Sequence, residues 1–456
     1  MRVRLVHSHE MLSRAIGYLA PQRGRPQHRT GRRGRPRVLT NRGHGGPTTH
    51  RPEAAIPTAI LDVMPFDLTA MQDALRTEGL DGWLLYDFHG SNPIARRIAG
   101  LSNGAKLTTR RWYLLIPADG EPRALVHAIE RDRLDHLPGD KLRYASHGEL
   151  DAGLDTLLGG CRNVAMEYSP GCAIPYVSRV DAGTVDAVRA RDVDVRSSGD
   201  LVQRFEAVWD DAALASHQSA SAALYDIKDR AFTLIADRMR TGTPVTEFEI
   251  QSAMASWFED AGLVSDSRPV VAAQENAGDP HYLPTKARHR TLGRNEILLL
   301  DLWGKLTPPG SVYADITWVG FTGATVATRY ADAFAVIRDG RDAAVEFVRD
   351  AVTNGRALQG WEVDRVARDH IAAAGYGDQF LHRTGHSLGE EVHGNGVHLD
   401  DFETHDVRRL LPGTAVTVEP GVYFEDFGVR TEINLHVGER SVTVTGPRQT
   451  EIRPLG

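Results

Sequence analysis

Short apolar runs alternate with amphipathic segments from Met64 to about residue 205. The first amphipathic segment places Leu68, Met71 and Leu75 at helical spacing, and strand-like apolar runs follow at 83–86, 112–116, 124–126 and 164–166. Helical segments between strands are typical of a compact α/β domain. We therefore predict a small α/β domain over residues 64–205.

The pattern becomes helical beyond about residue 206. Apolar residues recur every three or four positions over 224–235, and Thr246 with Glu249 has the spacing of a capping box at a helix start. Two more helical segments follow, around 334–352 and 363–371. Strand-like runs that carry acidic residues and histidines lie between and after these helix pairs. This order predicts an α+β domain over residues 206–456.

Residues 1–63 follow neither pattern. They are rich in Arg, Gly, Pro, Thr and His and have no apolar periodicity, so they bury too little surface to offset the entropy of ordering. The early apolar residues are interrupted by His7, His9, Glu10 and Arg14, unlike the apolar region of a signal peptide. We expect a disordered extension.

Composition and charge narrow the class of protein. The chain is 41% hydrophobic and 25% charged, as in ordinary soluble globular proteins, and no apolar run approaches the roughly 18 residues of a membrane span. Residues 1–60 hold 12 arginines against Glu10 and Glu53, a balance near +10; the net charge of -7 therefore leaves about -17 elsewhere. An acidic body argues against nucleic acid as the main partner. Cys161 and Cys172 are too few for a disulfide framework. We expect a cytoplasmic protein with no membrane or nucleic-acid partner.

Two aspartates lie beside apolar, strand-like runs in the second domain. Asp301 ends the aliphatic run 297–300, where a charge needs compensation for its desolvation. Asp315 comes 14 residues later (315 − 301), after a loop that contains Pro308 and Pro309. The two segments predict a hairpin that presents both carboxylates together.

Two glutamates occupy a similar position further along the chain. Glu419 follows the run 414–418, and Pro420 then turns the chain. Glu432 lies within 429–435, where strand alternation places Arg430 and Glu432 on the same face. A second hairpin is therefore predicted to add two more carboxylates.

Four convergent carboxylates require compensation of their summed charge of -4, and two divalent cations would supply it. His386 is the candidate nitrogen ligand. It lies in a cluster of histidines, with a further candidate at His281; the cluster comprises His382, His386, His393 and His398. Carboxylate oxygens with one imidazole suit Mn²⁺ best, with Co²⁺, Zn²⁺ or Fe²⁺ as alternatives.

A two-metal site of this kind hydrolyses amides. Two metals that share carboxylates can hold and deprotonate a bridging water, orient a carbonyl and stabilise the tetrahedral oxyanion. No other nucleophile stands out, because Ser311 and Ser387 lack the G-x-S-x-G context and neither cysteine has a neighbouring histidine.

The order of these residues resembles a known family. The series Asp301, Asp315, His386, Glu419 and Glu432, with the local motifs Gly-His-Ser-Leu-Gly, Val-Glu-Pro-Gly and Gly-Val-Arg-Thr-Glu, is similar to that of the pita-bread metallopeptidases, specifically the aminopeptidase P and prolidase branch. The resemblance covers roughly residues 206–450. It implies a pita-bread catalytic domain preceded by a smaller α/β domain of the creatinase type.

The resemblance also implies a role for each ligand. Asp301 would chelate one metal, Asp315 and Glu432 would bridge both, and His386 and Glu419 would hold the other. Glu419 would also shuttle a proton.

Four further residues match positions of that branch. By resemblance, His281 and His393 would contact the scissile carbonyl and the tetrahedral intermediate. His382 would lie near the substrate proline, and Arg430 would support the metal site or a substrate carboxylate.

The chain departs from the family pattern at some positions. Trp318 stands where arginine is common, Ser387 and Leu388 replace the usual Gly-Ile, and the loop between Asp301 and Asp315 is about three residues longer than common. These changes leave all five ligands in place and bear on substrate preference.

We therefore expect a dinuclear metallopeptidase that hydrolyses the bond after the N-terminal residue of Xaa-Pro peptides or dipeptides, through a metal-bridging hydroxide. A homodimer is expected from the resemblance alone. Two alternatives stay open: a metal-free creatinase-like hydrolase of a small guanidino or amidine compound, and a non-catalytic pita-bread binding protein. Metal analysis distinguishes them from the peptidase.

Overall fold

A computed structural model of the chain describes residues 66–101 and 108–456. The predicted disordered extension, residues 1–63, lies outside the described residues. The described residues all belong to one compact unit, Thr58–Gly456.

The first part of the described chain forms a six-stranded mixed sheet with helices on both faces. Its helices and strands are α1 (Leu68–Thr77), β1 (Gly82–Asp87), α2 (Pro93–Ile98), β2 (Trp112–Pro117), β3 (Arg123–His127), β4 (Asp140–Tyr144), α3 (His147–Leu158), β5 (Asn163–Met166), α4 (Ala182–Arg189), β6 (Asp194–Ser197) and α5 (Gly199–Glu206). The strand order is β4-β3-β2-β1-β5-β6. The four apolar runs predicted as strands are β1, β2, β3 and β5.

Alternation along β1 sends side chains into two cores. Trp83 and Leu85 pack with α1, α2 and α5, whereas Leu84 and Tyr86 pack with α3 and α4. Both faces of the sheet are therefore covered, which explains why its strands read as continuous apolar runs.

The second part combines two helix pairs with three small sheets. Its helices and strands are α6 (Asp211–Thr241), α7 (Glu247–Asp260), β7 (Leu263–Val264), β8 (Val270–Ala273), β9 (Ile297–Leu306), β10 (Ala314–Phe321), α8 (Thr328–Thr353), α9 (Gly360–Ala373), β11 (Ser387–Leu388), β12 (Ala415–Val418), β13 (Gly421–Tyr423), β14 (Gly428–Arg430), β15 (Ile433–Val437), β16 (Val442–Thr445) and β17 (Arg453–Pro454). The helix pair α6 and α7 covers β9 and β10, and α8 and α9 cover β12 and β15. The capping box of Thr246 and Glu249 starts α7, as predicted.

Both predicted hairpins form. Strands β9 and β10 pair antiparallel, and β8 pairs with β9 as well. The other hairpin is long and interrupted: β12 pairs with β15, and β13 pairs with β14 at its tip.

The prediction of one continuous strand through Arg430 and Glu432 is wrong. Strand β14 ends at Arg430 and β15 begins at Ile433. The break has a cause in hydrogen bonding, because the Glu432 N–H donates to the carbonyl of Thr317 on β10 at 3.2 Å instead of continuing the hairpin. Glu432 therefore lies where two sheets meet.

The predicted domain boundary between residues 205 and 206 falls at the end of α5 and stays a prediction. Across the described ranges, none of the helices combines the length and apolar character needed to cross a bilayer.

Candidate metal centre

The hairpin of β9 and β10 supplies two carboxylates on one face. Asp301 pairs with Thr317, and Asp315 lies two residues from that partner, so its side chain leaves the sheet on the same side. Both aspartates are buried. The side-chain amide of Asn434 accepts from the Asp315 N–H at 2.9 Å and donates to the Asp315 carbonyl at 2.7 Å, which fixes this end of β10 against β15.

The interruption of the second hairpin supplies the two glutamates. Glu419 directly follows β12, and Glu432 directly precedes β15. The Thr317 hydroxyl donates to Glu432 Oε2 at 2.7 Å, and the Thr417 hydroxyl lies 3.1 Å from Glu419 Oε1. The two breaks in the ladder thus aim both carboxylates at the pair on β9 and β10.

His386 completes the group. Its Nδ1–H donates to the Ser387 carbonyl at 3.1 Å, so the neutral ring leaves Nε2 unprotonated. Nε2 lies 3.6 Å from Asp315 Oδ2 and 3.4 Å from Glu419 Oε1. The close approach depends on Gly385, because a Cβ there would meet the Thr417 carbonyl oxygen at 2.0 Å.

Burial and crowding shift the pKa values of these groups. Burial, reinforced by the neighbouring carboxylates, raises the pKa of Asp315 and of Glu432 well above the usual values. Burial raises the pKa of Asp301 as well, and that of Glu419 to about 7. Burial also lowers the pKa of His386 well below its ordinary value, which keeps the ring neutral.

The group contains unsatisfied ligand atoms. Asp315 Oδ1 and Glu432 Oε1 are buried and have no hydrogen-bond partner within residues 66–101 and 108–456. Such atoms are costly unless something binds them. Ligand atoms of Asp315, His386 and Glu432 lie within 4.8 Å of one another, so this set fits a divalent cation.

Arg430 is the cation inside the group. Its Nη2 donates to Asp301 Oδ2 at 2.5 Å, its Nε to Thr317 Oγ1 at 3.0 Å, and its Nη1 to the Tyr423 hydroxyl at 2.9 Å. One guanidinium offsets one of four carboxylates. The three nitrogens of the Arg430 guanidinium are therefore all engaged within the protein, and one of them holds Asp301.

A cavity of about 500 Å³ opens onto the group. All nine residues predicted for the site line it: His281, Asp301, Asp315, His382, His386, His393, Glu419, Arg430 and Glu432. His281 and His393 are exposed at its wall, and the rings of His386 and His393 lie 4.4 Å apart, edge to face.

His382 is tied into the protein by both ring nitrogens. Nδ1–H donates to the Arg383 carbonyl at 2.7 Å, and Nε2 accepts from the Tyr423 hydroxyl at 2.8 Å. Burial, with the nearby Arg430 charge, lowers the pKa of His382 to about 3. Both ring nitrogens are therefore engaged within the protein, Nδ1 with Arg383 and Nε2 with Tyr423.

Three residues of the site were missed by the sequence reasoning. Thr317 links Arg430 to Glu432, and its signal was available: it stands two positions after Asp315 on the same face of a predicted strand. Tyr423 joins His382 to Arg430, and Arg383 lines the cavity. Neither has a sequence signal, because Tyr423 contacts His382, 41 positions away, and Arg383 contacts Tyr176, 207 positions away.

Trp318 and Ser387, which depart from the family pattern, each make local contacts. The Lys228 Nζ lies 3.7 Å from the centre of the Trp318 ring, so a cation from α6 packs against the residue that replaces arginine. The Ser387 Oγ accepts the N–H of Gly396 at 3.1 Å, and its carbonyl accepts that of Gly394 at 2.8 Å. Ser387 thus fastens the loop that carries His393.

Sequence comparison identifies the region that holds this group. Residues 221–439 match the sequence profile of metallopeptidase family M24. This region belongs to family M24. All five predicted ligands lie inside the M24 region.

Three proteins show how far the similarity extends. The M24 region is similar to the Xaa-Pro dipeptidase of Lactobacillus helveticus, with 32% identity over 214 residues, which is 45% of this chain and 51% of that enzyme. The fold is similar to dipeptidase PepE from Mycobacterium ulcerans, with TM-score 0.61, 22% identity, and coverage of 85% of this chain and 96% of that one. It is also similar to an X-prolyl aminopeptidase from Caenorhabditis elegans described as a cytosolic enzyme with a di-nuclear active site (TM-score 0.55, 17% identity, 84% and 62% coverage).

These structural likenesses confirm the predicted fold class. The second part of the described chain has the α+β pita-bread architecture of the M24 family, and a smaller α/β part precedes it. The match covers about half the length of the first curated relative, so the similarity shows the fold of this region and does not by itself show the activity of the whole protein.

Proposed function

We propose that this protein is a metal-dependent peptidase that hydrolyses the amide bond after the N-terminal residue of Xaa-Pro peptides or dipeptides. The observation that carries the proposal is a group of three buried carboxylates, the half-buried Glu419 and one neutral histidine beside a cavity. Its two unpartnered oxygens, Asp315 Oδ1 and Glu432 Oε1, indicate a ligand of positive charge.

Two divalent metal ions fit the donor set. Asp301, Asp315, His386, Glu419 and Glu432 would hold them, and their oxygen-rich ligands suit Mn²⁺ first, then Co²⁺, Zn²⁺ or Fe²⁺. Ions bound there would supply a water of lowered pKa and polarise the substrate carbonyl. The likeness to an enzyme described as di-nuclear supports the count of two.

The side chains around the group would perform the remaining steps. Glu419, beside the cavity, would take a proton from the attacking water and pass it to the departing amine. His281 and His393, on the cavity wall, would contact the scissile carbonyl and the tetrahedral intermediate. Arg430 would hold Asp301 in place through the short hydrogen bond that joins them.

The preference for proline rests on the resemblance and on the relatives. Two of the proteins named above are described as Xaa-Pro or X-prolyl peptidases. His382, with its nitrogens committed to the protein, would offer a ring face to a substrate proline. We also propose a cytoplasmic homodimer on the same basis.

The proposal is tested with purified, Mn²⁺-loaded protein and two dipeptides, Ala-Pro and Ala-Ala. We expect Ala-Pro to be cleaved at least about tenfold faster in kcat/KM, which corresponds to about 1.4 kcal/mol of discrimination. Treatment with chelator should abolish cleavage, and Mn²⁺ should restore it.

Two variants serve as controls for this experiment. Asp315→Asn removes a proposed ligand and should eliminate cleavage in the presence of Mn²⁺. Asp378→Asn, in the turn after α9, should behave like the wild type. Cleavage that survives chelation, or absence of any Ala-Pro cleavage with bound metal, would refute the proposal.

A further inference from the structure

Arg383 lies on the wall of the cavity, three residues before the ligand His386. The four carboxylates line the same cavity, so this guanidinium belongs to the same site as the carboxylate group. The side chain is half-buried. Within residues 66–101 and 108–456, no carboxylate oxygen lies within ion-pair distance of it.

One contact orients the Arg383 side chain. Its Nη1 donates to the Tyr176 hydroxyl at 2.5 Å, and its guanidinium lies 5.6 Å from the centre of the Tyr176 ring. The Tyr176 ring in turn packs edge to face against the buried His398, with 4.4 Å between ring centres. Tyr176 lies between β5 and α4, so the first part of the chain fixes an arginine of the second part.

Arg383 differs from the other arginine in the cavity in the number of its N–H groups that are already hydrogen-bonded. Arg430 is the second arginine on the cavity wall, and its donors are committed to Asp301, Thr317 and Tyr423. Glu403 accepts the backbone N–H of Arg383 at 3.1 Å, whereas the guanidinium donates through Nη1 to Tyr176. Arg383 therefore has N–H donors available for a ligand in the cavity.

A short peptide bound for cleavage presents an anion at this range. In an Xaa-Pro dipeptide, the terminal carboxylate follows the scissile bond by one residue, about 3.5 Å of chain. An arginine with free donors is the preferred partner for such a carboxylate. In a longer peptide the same position carries an uncharged amide.

We propose that Arg383, oriented by Tyr176, binds the C-terminal carboxylate of the substrate, so that dipeptides are the substrate class. This inference rests on the proposed peptidase function. It assigns substrate length to a contact between the two parts of the chain.

The test compares Ala-Pro with its C-terminal amide, Ala-Pro-NH2, on Mn²⁺-loaded protein. The wild type should prefer Ala-Pro by about 10- to 100-fold in kcat/KM, the range expected for one charge-assisted pair. Arg383→Met should bring the two substrates within about threefold of each other, by raising KM for Ala-Pro and leaving the amide unchanged. Arg356→Met, which removes an exposed arginine beyond α8, should keep the wild-type preference.

A second variant examines the orienting contact. Tyr176→Phe keeps the ring against His398 and removes the hydroxyl, so the preference should fall by about 3- to 10-fold. An unchanged preference in this variant would overturn the role of Tyr176. A wild type that treats both substrates alike, or an Arg383→Met variant that slows both equally, would overturn the role of Arg383.

Binding separates this inference from the peptidase proposal. Calorimetry on the chelated protein measures the Kd of Ala-Pro and of Ala-Pro-NH2 without hydrolysis. Tighter binding of Ala-Pro that Arg383→Met abolishes supports the carboxylate site, even if Mn²⁺ restores no cleavage and the proposed function fails. Cleavage without any preference for the free carboxylate overturns the inference and leaves the proposed function intact.

Discussion

At the scale of single residues, the fold holds several negatively charged side chains close together in the site. Four carboxylates converge there, three of them buried and one half-buried, and Arg430 offsets one of their charges. They are Asp301, Asp315 and Glu432, with Glu419 as the half-buried one. Without bound cations this arrangement opposes folding, because burial and mutual repulsion both disfavour the ionised carboxylates. Under the proposed function, the carboxylates bind metal at a cost to the stability of the metal-free protein.

Replacing Glu432 with Gln tests this view. In the chelated protein at pH 8, Glu432→Gln should raise Tm by several degrees, since it removes one buried charge and keeps an oxygen that accepts from Thr317. It should also lower the number of Mn²⁺ ions bound. Glu425→Gln, in the exposed turn between β13 and β14, is the matched control and should change neither quantity.

The pH dependence has a definite sign. The folded-state pKa values of Asp315 and Glu432 are raised, so the folded chelated protein binds more protons than the unfolded chain. Its unfolding free energy should fall as pH rises from about 4, near the unfolded pKa, through the raised folded values. Urea unfolding at several pH values measures this slope, which should be shallower in Glu432→Gln. An equal slope in both proteins would contradict the account.

The convergence of the five proposed ligands was predictable, because the carboxylates among them carry a local signal. Asp301 and Glu419 follow apolar runs, where a charge is costly unless it is bound. Arg383 has no such signal, because its significance depends on Tyr176, about two hundred positions earlier in the chain. A residue whose role depends on a contact far away in the sequence leaves no local pattern, so its role could not be predicted from the sequence.

At the scale of elements, interruptions in the second hairpin position Glu419 and Glu432. The break between β14 and β15 was not predicted, because apolar and polar residues alternate without interruption through 429–435. Its cause is β10, whose Thr317 takes the Glu432 N–H. An alternating pattern predicts the face of the strand on which a side chain lies. It does not predict where the strand changes its pairing partner.

The start of α7 organises another functional segment. Glu247 is fully buried, and its carboxylate accepts from the Ala273 N–H, the Asn276 amide, the Tyr282 hydroxyl and the Arg290 N–H. These donors belong to the chain on both sides of His281. Glu247 therefore positions the loop that brings His281 to the cavity.

Glu247→Gln should disturb that loop, because the side-chain NH2 group of glutamine would face N–H and O–H groups that now donate to the Glu247 carboxylate. We expect kcat for Ala-Pro to fall about tenfold with the number of bound Mn²⁺ ions unchanged, as measured by steady-state kinetics and elemental analysis. Glu249→Ala, which removes the capping partner of Thr246 in the same helix, should cost about 1 kcal/mol of stability and leave kcat alone. A Glu247→Gln enzyme with the kcat of that control would remove Glu247 from this role.

At the scale of the whole molecule, the first part of the described chain packs against the second part, whose residues line the cavity. Arg409 bonds to Asp200 and Glu78, and Glu206 receives both Arg97 and Asn395. These contacts hold the first part beside the segment that carries Arg383 and His393. The order of the helices and strands predicted both parts, whereas the contacts between them depend on the three-dimensional packing.

The central claim is that the four carboxylates and His386 hold two metal ions that are required for cleavage. The most direct measurement loads chelated protein with Mn²⁺ in steps and records bound metal per chain and Ala-Pro cleavage in the same samples. We predict that binding saturates at about two ions per chain and that cleavage rises with occupancy from a baseline of zero. Cleavage at full rate in metal-stripped protein, or a protein that binds no Mn²⁺, would contradict the account.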